Sequence, residues 1–392
     1  MIMSEVNRSG LYDASDRIDV CVLADGEMEP FIDRTKITCT YKGTPDLYER
    51  ASLLHLRSLA VNDTDDVAYW YVHTKGIRWF GTEREKNVID WIHLMLYWNL
   101  RRWKKAVAML GRGYDMYGCN LLRNKPSEYP HYSGNFWWAT SSHLKTLPSA
   151  IGPNYNDPEF WISLSSPTKA FSAYDSGVDQ YHNRVPPDLY ISDWIDKIVS
   201  AWTGHRDFAQ WLTWNAKSDV IVDLGVDYGY STFVFADALR GTTGTVYGVD
   251  LFMGDVHTGY RNTLDSVQKA IAEHSVTNLE LVIGDFDTMS KFWNKPINIL
   301  HIDGFHTYDA VKNDFTRWSP HVTDDGIVLF HDIAVPQFGV KDFFRELSGG
   351  YKLFFLHSAG LGIWTRNKEL RDKIMEEFPA NVYDFAEHGY LI

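Results

Sequence analysis

The chain has 392 residues, 51 of them acidic and 38 basic, for a net charge of −13. That balance excludes a sequence-independent grip on nucleic acid or an anionic membrane, both of which need a positive field, and the length calls for two domains. Three cysteines without CxxC spacing, an N-terminal stretch with no apolar core and no apolar run of membrane-spanning length lead us to expect a cytoplasmic chain without disulfides, a cysteine zinc site or a membrane span.

In chain order, RIDVCVLAD reads as a strand, LYERASLLHLRSLAV as an amphipathic helix and AYWYVHTKG as a strand running into a loop. NVIDWIHLMLYWNLRRWKKAVAML repeats its apolar residues at three- and four-residue steps, which predicts one long helix, and YDMYGCN reads as a short strand. The segment 166–190 is rich in Ser, Gly, Pro and Asp without periodicity, and we take it as a linker between domains 1–165 and 191–392. DLYISDWIDKIVSAWTGHRDFAQWLTWNA then reads as helices. A clean alternation follows: strands DVIVDLG, GTVYGVDLF, LELVIGDF, INILHID and GIVLFHD, with helices TFVFADALR, TLDSVQKAIAEH and YDAVKNDFTRW among them. Such alternation indicates a parallel sheet with helices on both faces, so both halves are expected to be α/β.

Ligands of an open parallel sheet bind outside the carboxyl ends of its strands. The first strand of the second half ends in VDLGVDYGYST, where Gly225 and Gly229 allow a sharp turn and close backbone approach. Its GxxxG spacing is not the GxGxxG dinucleotide fingerprint, which disfavours an NAD-dependent enzyme. The second strand ends at Asp250, placed to accept both hydroxyls of a ribose, and the third at Asp285, placed to accept from an adenine amino group. N-capping of the following helix is the competing role for both carboxylates.

Val222–Thr232, Gly248–Asp250 and Gly284–Phe286, followed by ILHIDGFHTYDAVKNDF and GIVLFHD, together resemble class I S-adenosylmethionine-dependent methyltransferases. The resemblance covers about 219–364 and points to the branch acting on sugar and small-molecule hydroxyls. It implies a C-terminal Rossmann-like sheet with S-adenosylmethionine as cofactor. Asp223, Gly225 and Gly229 would line its methionine part, Asp250 its ribose and Asp285 its adenine.

Strands four and five of this fold are neighbours, so Asp303 and Asp332 should stand side by side at the open end. Two adjacent carboxylates repel unless a proton or cation lies between them, and a hard divalent cation, Mg²⁺, would resolve the repulsion. His306, on the same mouth, is the expected base, taking the acceptor's proton as its oxygen attacks the sulfonium methyl. In related metal-dependent sugar methyltransferases the second cluster is two consecutive acids. Here it is His331–Asp332, so His331 is a nitrogen ligand, a second base or a hydrogen-bonded wall.

In the first half, YWYVHTKG, YDMYGCN and PHYSGNFWWA together resemble an N-terminal glycosyltransferase domain of the GT-A kind over about 10–148. The resemblance implies a nucleotide-sugar partner and glycan biosynthesis, with His73 and Lys75 facing the diphosphate. The usual Asp-x-Asp is missing from that strand end; Asp63, Asp65 and Asp66 precede the strand. Acceptor binding or scaffolding is the alternative role. Asn135, Trp137 and Trp138 would touch a sugar, or pack in a core. With 15 Trp, 22 Tyr and 21 Phe in the chain, aromatic stacking on sugar is one reading and core filling the other. The expectation for the whole chain is thus methyl transfer to a sugar or glycan hydroxyl. A non-sugar hydroxyl and a non-catalytic scaffold are the alternatives, and homo-oligomerisation stays open.

Overall fold

The computed structural model describes residues 1–24, 36–123, 129–165, 169–256 and 259–392. The chain divides into two compact units, Met1–Tyr190 and Ile191–Ile392.

In the first unit, β1 (Ile18–Leu23) and β2 (Ile37–Gly43) form a parallel pair. β3 (Ala68–Tyr71), β4 (Met116–Gly118), β7 (Trp137–Thr140) and β8 (Ala170–Ser172) form a second sheet in the order β3-β7-β4-β8, while β5 (Leu121–Leu122) and β6 (His131–Tyr132) pair beside it. β7 runs antiparallel to both its neighbours, and only β4 and β8 are parallel in this sheet. The all-parallel sheet expected from strand–helix alternation is therefore not what this half builds.

The long helix expected over 87–110 is divided into Glu85–Leu96 and Trp103–Gly111 by a π-turn at Tyr97–Arg101. The break has an identifiable cause. The Trp98 carbonyl accepts from the Tyr117 hydroxyl (3.1 Å) and the Asn99 carbonyl from Trp138 Nε1 (2.8 Å), while Asn99 Nδ2 donates back to Met95 O. Buried side chains satisfy carbonyls that the widened turn frees. The expected linker 166–190 also needs correction. Residues 166–168 lie outside the described residues, but β8 belongs to the sheet and Ala173, Val185 and Tyr190 are buried. Its polar composition conceals a few isolated apolar anchors.

The second unit holds eight strands: β9 (Val220–Leu224), β10 (Thr245–Asp250), β11 (Leu279–Ile283), β12 (Ile297–Ile302), β13 (Val322–His331), β14 (Tyr351–Phe355), β15 (Leu361–Thr365) and β16 (Val382–Asp384). They lie in the order β11-β10-β9-β12-β13-β15-β14-β16. β9 to β13 are mutually parallel and β15 runs against its neighbours. Alternation along each central strand splits the core by sheet face. Ile221, Val246, Ile299, Ile327 and Leu329 pack on one side, and Val222, Leu224, Val249, Leu300 and Val328 on the other. Strand order reverses between β9 and β12, which opens a crevice at their carboxyl ends. The region expected to be helical before β9 supplies short 3₁₀ turns and the helix Arg206–Asn215.

Candidate active site

At the end of β9 the chain turns through Gly225 (φ +101°) and enters the helix Tyr230–Ala238 after Gly229 (φ +89°), both in the region that favours glycine. A Cβ on Gly225 would stand 2.0 Å from the Asp303 carbonyl oxygen, so the turn closes directly on the end of β12. Backbone bonds lace the neighbouring strand ends together: Asp303 N donates to Leu224 O (2.8 Å), Gly225 N to Val249 O (3.0 Å) and Gly284 N to Asp250 O (3.0 Å). Gly225, Asp250, Asp285 and Asp303 thus stand at adjoining strand ends.

Their side chains do different work. Asp250 accepts the N–H groups of Val226 (2.8 Å), Asp227 (2.9 Å) and Phe252 (2.7 Å), so its carboxylate holds the glycine loop in place. Three bonds leave acceptor capacity on a carboxylate, which has about four lone-pair sites. Asp285 is exposed and caps the helix Phe286–Phe292 through Thr288 N (2.8 Å). Asp223 corrects the expectation that it lines the cofactor. It is fully buried beneath the loop, where its carboxylate takes the hydroxyls of Ser231 and Thr232 and the ring of His301.

Across the crevice, Asp303, His306, His331 and Asp332 converge. His306 Nε2 lies 2.9 Å from Asp332 Oδ2 and 3.8 Å from Asp303 Oδ1. His331 Nδ1 lies 3.2 Å from Asp303 Oδ1 and 3.5 Å from Asp332 Oδ1, while Nε2 faces Ser358 O at 3.0 Å. Asp332 adopts φ +64°, a strained conformation for a non-glycine residue that aims its carboxylate into the cluster. Phe338 stacks on the His306 ring at 4.4 Å.

Burial by itself would discharge these imidazoles, but the adjacent carboxylates prevail. Against desolvation, hydrogen bonds and charge from Asp303 and Asp332 push His306 up to about 9 and His331 up to about 10. Burial raises the carboxyls in turn, and the two imidazoliums outweigh it, holding Asp303 and Asp332 below the usual range. Free of a cation, the carboxylates thus favour the protonated imidazoles, which weighs against His306 acting as a lone free base.

Asp303, His306 and Asp332 each offer a ligand atom, all within 4.8 Å of one another, and among the described residues they form the group suited to a metal ion. This differs from the expected set of Asp303, Asp332 and His331. Both nitrogens of His331 are engaged, and its side chain, 3% exposed, forms a wall behind Asp303. Within that group the nitrogen ligand atom on offer is that of His306.

Residues 222–333 match the model of a methyltransferase domain family. The second unit carries a methyltransferase domain. A further relative, the uncharacterized protein y4gI of Sinorhizobium fredii (strain NBRC 101917 / NGR234), is 32% identical over 182 residues, 44% of this chain. That match spans 20% of the relative's own length. Among solved structures, the O-methyltransferase TomG of Streptomyces achromogenes, involved in tomaymycin synthesis, was determined with S-adenosylmethionine. It superposes with a TM-score of 0.35 at 16% identity, covering 45% of this chain and 91% of that one. The S-adenosylhomocysteine-bound methyltransferase PaMTH1 of Podospora anserina gives a TM-score of 0.34 at 13% identity, over 47% of this chain and 89% of its own. Sequence reasoning about the methyltransferase domain missed Trp202 and His301. His301 was legible only as a polar residue inside an otherwise apolar strand.

In the first unit, both ring nitrogens of His73 face backbone carbonyls, those of Thr74 and Gly134 (3.0 Å each), with Glu49 at 3.4 Å. Lys75 Nζ lies 4.7 Å from the Trp91 ring centroid. Asn135, Trp137 and Trp138 are buried, with Trp137 Nε1 donating to Asn135 Oδ1 and Trp138 Nε1 to Asn99 O. Their expected role against a sugar gives way to core packing.

Proposed function

We propose that the protein transfers the methyl group of S-adenosylmethionine to a hydroxyl of a small-molecule acceptor. The observation that carries this reading is the Asp303–His306–Asp332 cluster opening at the strand ends next to Gly225. Asp250 is assigned to the ribose and Asp285 to the adenine. Asp303, whose side chain is the most open of the four at 20% exposed, is assigned to receive the acceptor hydroxyl's hydrogen bond. As the hydroxyl oxygen bonds to the methyl carbon, the carbon–sulfur bond breaks and its electrons return to sulfur, leaving S-adenosylhomocysteine. The hydroxyl's proton passes to a carboxylate of the cluster, Asp303, because the carboxylates already favour a protonated His306. This replaces His306 as a lone base.

Once His306 has given up its proton, the donor set of two carboxylate oxygens and one imidazole nitrogen fits a divalent cation, and Mg²⁺ is the one we propose for Asp303, His306 and Asp332. When bound, such a cation supplies Lewis acidity that eases loss of the hydroxyl proton. Full activity after EDTA treatment would remove it from the scheme; recovery on adding Mg²⁺ is the expected result.

A sugar or glycan is the acceptor class we carry forward. Its support lies in the first unit, where Arg78 stacks on the rings of Trp79 (5.0 Å) and Tyr155 (5.5 Å), and the exposed Tyr48 and Tyr155 meet edge to face. Because His73 and Lys75 are engaged locally, we assign that unit to glycan binding rather than nucleotide-sugar turnover. Incubation with labelled S-adenosylmethionine and separate panels of sugars and phenols tests the reading by mass spectrometry. A methylated sugar is expected. A methylated phenol alone replaces the acceptor class, and no product from any acceptor overturns the hydroxyl-transfer reading.

A further inference from the structure

A chain of buried polar groups runs beneath the glycine loop without reaching the crevice. Trp202 Nε1 donates to His301 Nε2 (3.0 Å), and His301 Nδ1 meets Asp223 Oδ1 (2.7 Å). Asp223 Oδ2 then accepts from Ser231 Oγ (2.8 Å) and Thr232 Oγ1. Every member is at most 5% exposed, and Trp202, Asp223, Thr232 and His301 are within 1% of complete burial.

The chemistry of the first bond sets all the others. An indole N–H can only donate, so His301 Nε2 carries a lone pair and the ring's proton sits on Nδ1, pointing at Asp223. That bond leaves the second oxygen of Asp223 to the two hydroxyls, which belong to the first turn of the helix Tyr230–Ala238. A carboxylate there also complements the positive end of the helix. The chain therefore joins four separate pieces: the turn Thr203–His205 through Trp202, β12 through His301, β9 through Asp223, and the helix that follows Gly229. On its other side the same loop is held by Asp250, through Val226 N and Asp227 N.

We propose that His301 is a positioning residue for the cofactor, with Trp202 as the donor that selects its tautomer. By anchoring the helix start from behind, the chain keeps the Gly225–Gly229 loop in its binding shape before the cofactor arrives, so ordering costs little at binding. The proposal rests on the methyltransferase reading of the second unit but not on the identity of the acceptor.

The test uses the full chain and three readouts: thermal unfolding, S-adenosylhomocysteine titration by calorimetry, and ¹⁵N NMR of the histidine rings. Trp202→Phe keeps a ring and removes the donor. Trp364→Phe is the control, since Trp364 is also buried in the second unit and its Nε1 bonds to Ser348 O (3.2 Å), outside the chain. Wild-type His301 is expected to show a protonated Nδ1 and an unprotonated Nε2. Trp202→Phe is expected to lose that signature and to bind S-adenosylhomocysteine about tenfold more weakly, the scale of one unsatisfied buried group. Trp364→Phe is expected to lose thermal stability with unchanged affinity. An Nε2-protonated His301 in the wild type, or equal affinity losses in the two variants, overturns the proposal. So does unchanged affinity in a folded Trp202→Phe. Should Trp202→Phe not fold, the wild-type ring signature together with the affinity of Ser231→Ala decides: unchanged binding there also overturns it. A wild type that shows the expected ring signature and binds no S-adenosylhomocysteine contradicts the methyltransferase reading instead.

Discussion

At Gly225 one added carbon suffices to test the cofactor crevice. A Cβ there would sit 2.0 Å from a backbone oxygen of Asp303, which has no side-chain freedom with which to retreat, and the φ of +101° adds strain. Gly225→Ala is expected to reduce S-adenosylhomocysteine affinity by tenfold or more, roughly the effect of displacing a loop held this closely. Calorimetric titration measures it, and an unchanged Kd would separate the loop from the cofactor. Asp250→Asn probes the opposite anchor. The amide keeps the shape and loses the charge that strengthens bonds to Val226, Asp227 and Phe252, so affinity should fall by on the order of tenfold. The sequence placed Gly225, Asp250 and Asp285 at strand ends because strand periodicity and short polar turns are local signals. It misassigned Asp223 because which face of a strand a carboxylate takes depends on neighbours far away in sequence, here Ser231, Thr232 and His301.

Helices show the same division between local and distant causes. The helix Tyr308–Trp318 matched its predicted span, since Thr307 caps its start and its apolar residues recur on one face. Within it, Asp314 is buried, and desolvation, with the charge of Asp287 adding to it, pushes its carboxyl up to about 7. The native state therefore holds a proton that the unfolded chain releases near pH 4. Between about pH 4 and 7 the folded form binds more protons, so this group's contribution to stability falls as pH rises and levels off above about 7. Asp314→Asn fixes the neutral form. It should raise the melting temperature at pH 8, with an upper bound of about 4 kcal/mol, and leave it unchanged at pH 4. Equal melting temperatures at pH 8 would show that Asp314 ionises freely. By contrast, the π-turn at Tyr97–Arg101 was invisible in the repeat of its apolar residues. Its cause is Tyr117 and Trp138, which reach it from other elements.

Across the whole molecule, legibility followed how far each unit relies on local pattern. The parallel strands β9 to β13 are near-continuous apolar runs ending in polar residues, and they were readable one by one. β14, β15 and β16 went unassigned, as did β8 inside a segment whose composition is that of a linker. The two units, each with its own sheet, also call for separate functional readings, and ligand-induced amide protection tells them apart. Saturating S-adenosylhomocysteine should slow hydrogen exchange in the loop 225–229 and at the ends of β10, β11 and β12, because a bound ligand stabilises the state that binds it. Amides of β3, β7 and the 134–136 turn in the first unit should remain unchanged by it. UDP- and GDP-sugars should likewise leave the amides around His73 and Lys75 unprotected if that unit does not turn over a donor. Protection there by a nucleotide sugar, but not by the free sugar, would return donor turnover to the first unit and make the chain bifunctional. Protection by free glycan alone would match the acceptor-binding role, with Trp79 and Tyr155, rather than the buried Trp137 and Trp138, as the stacking surface.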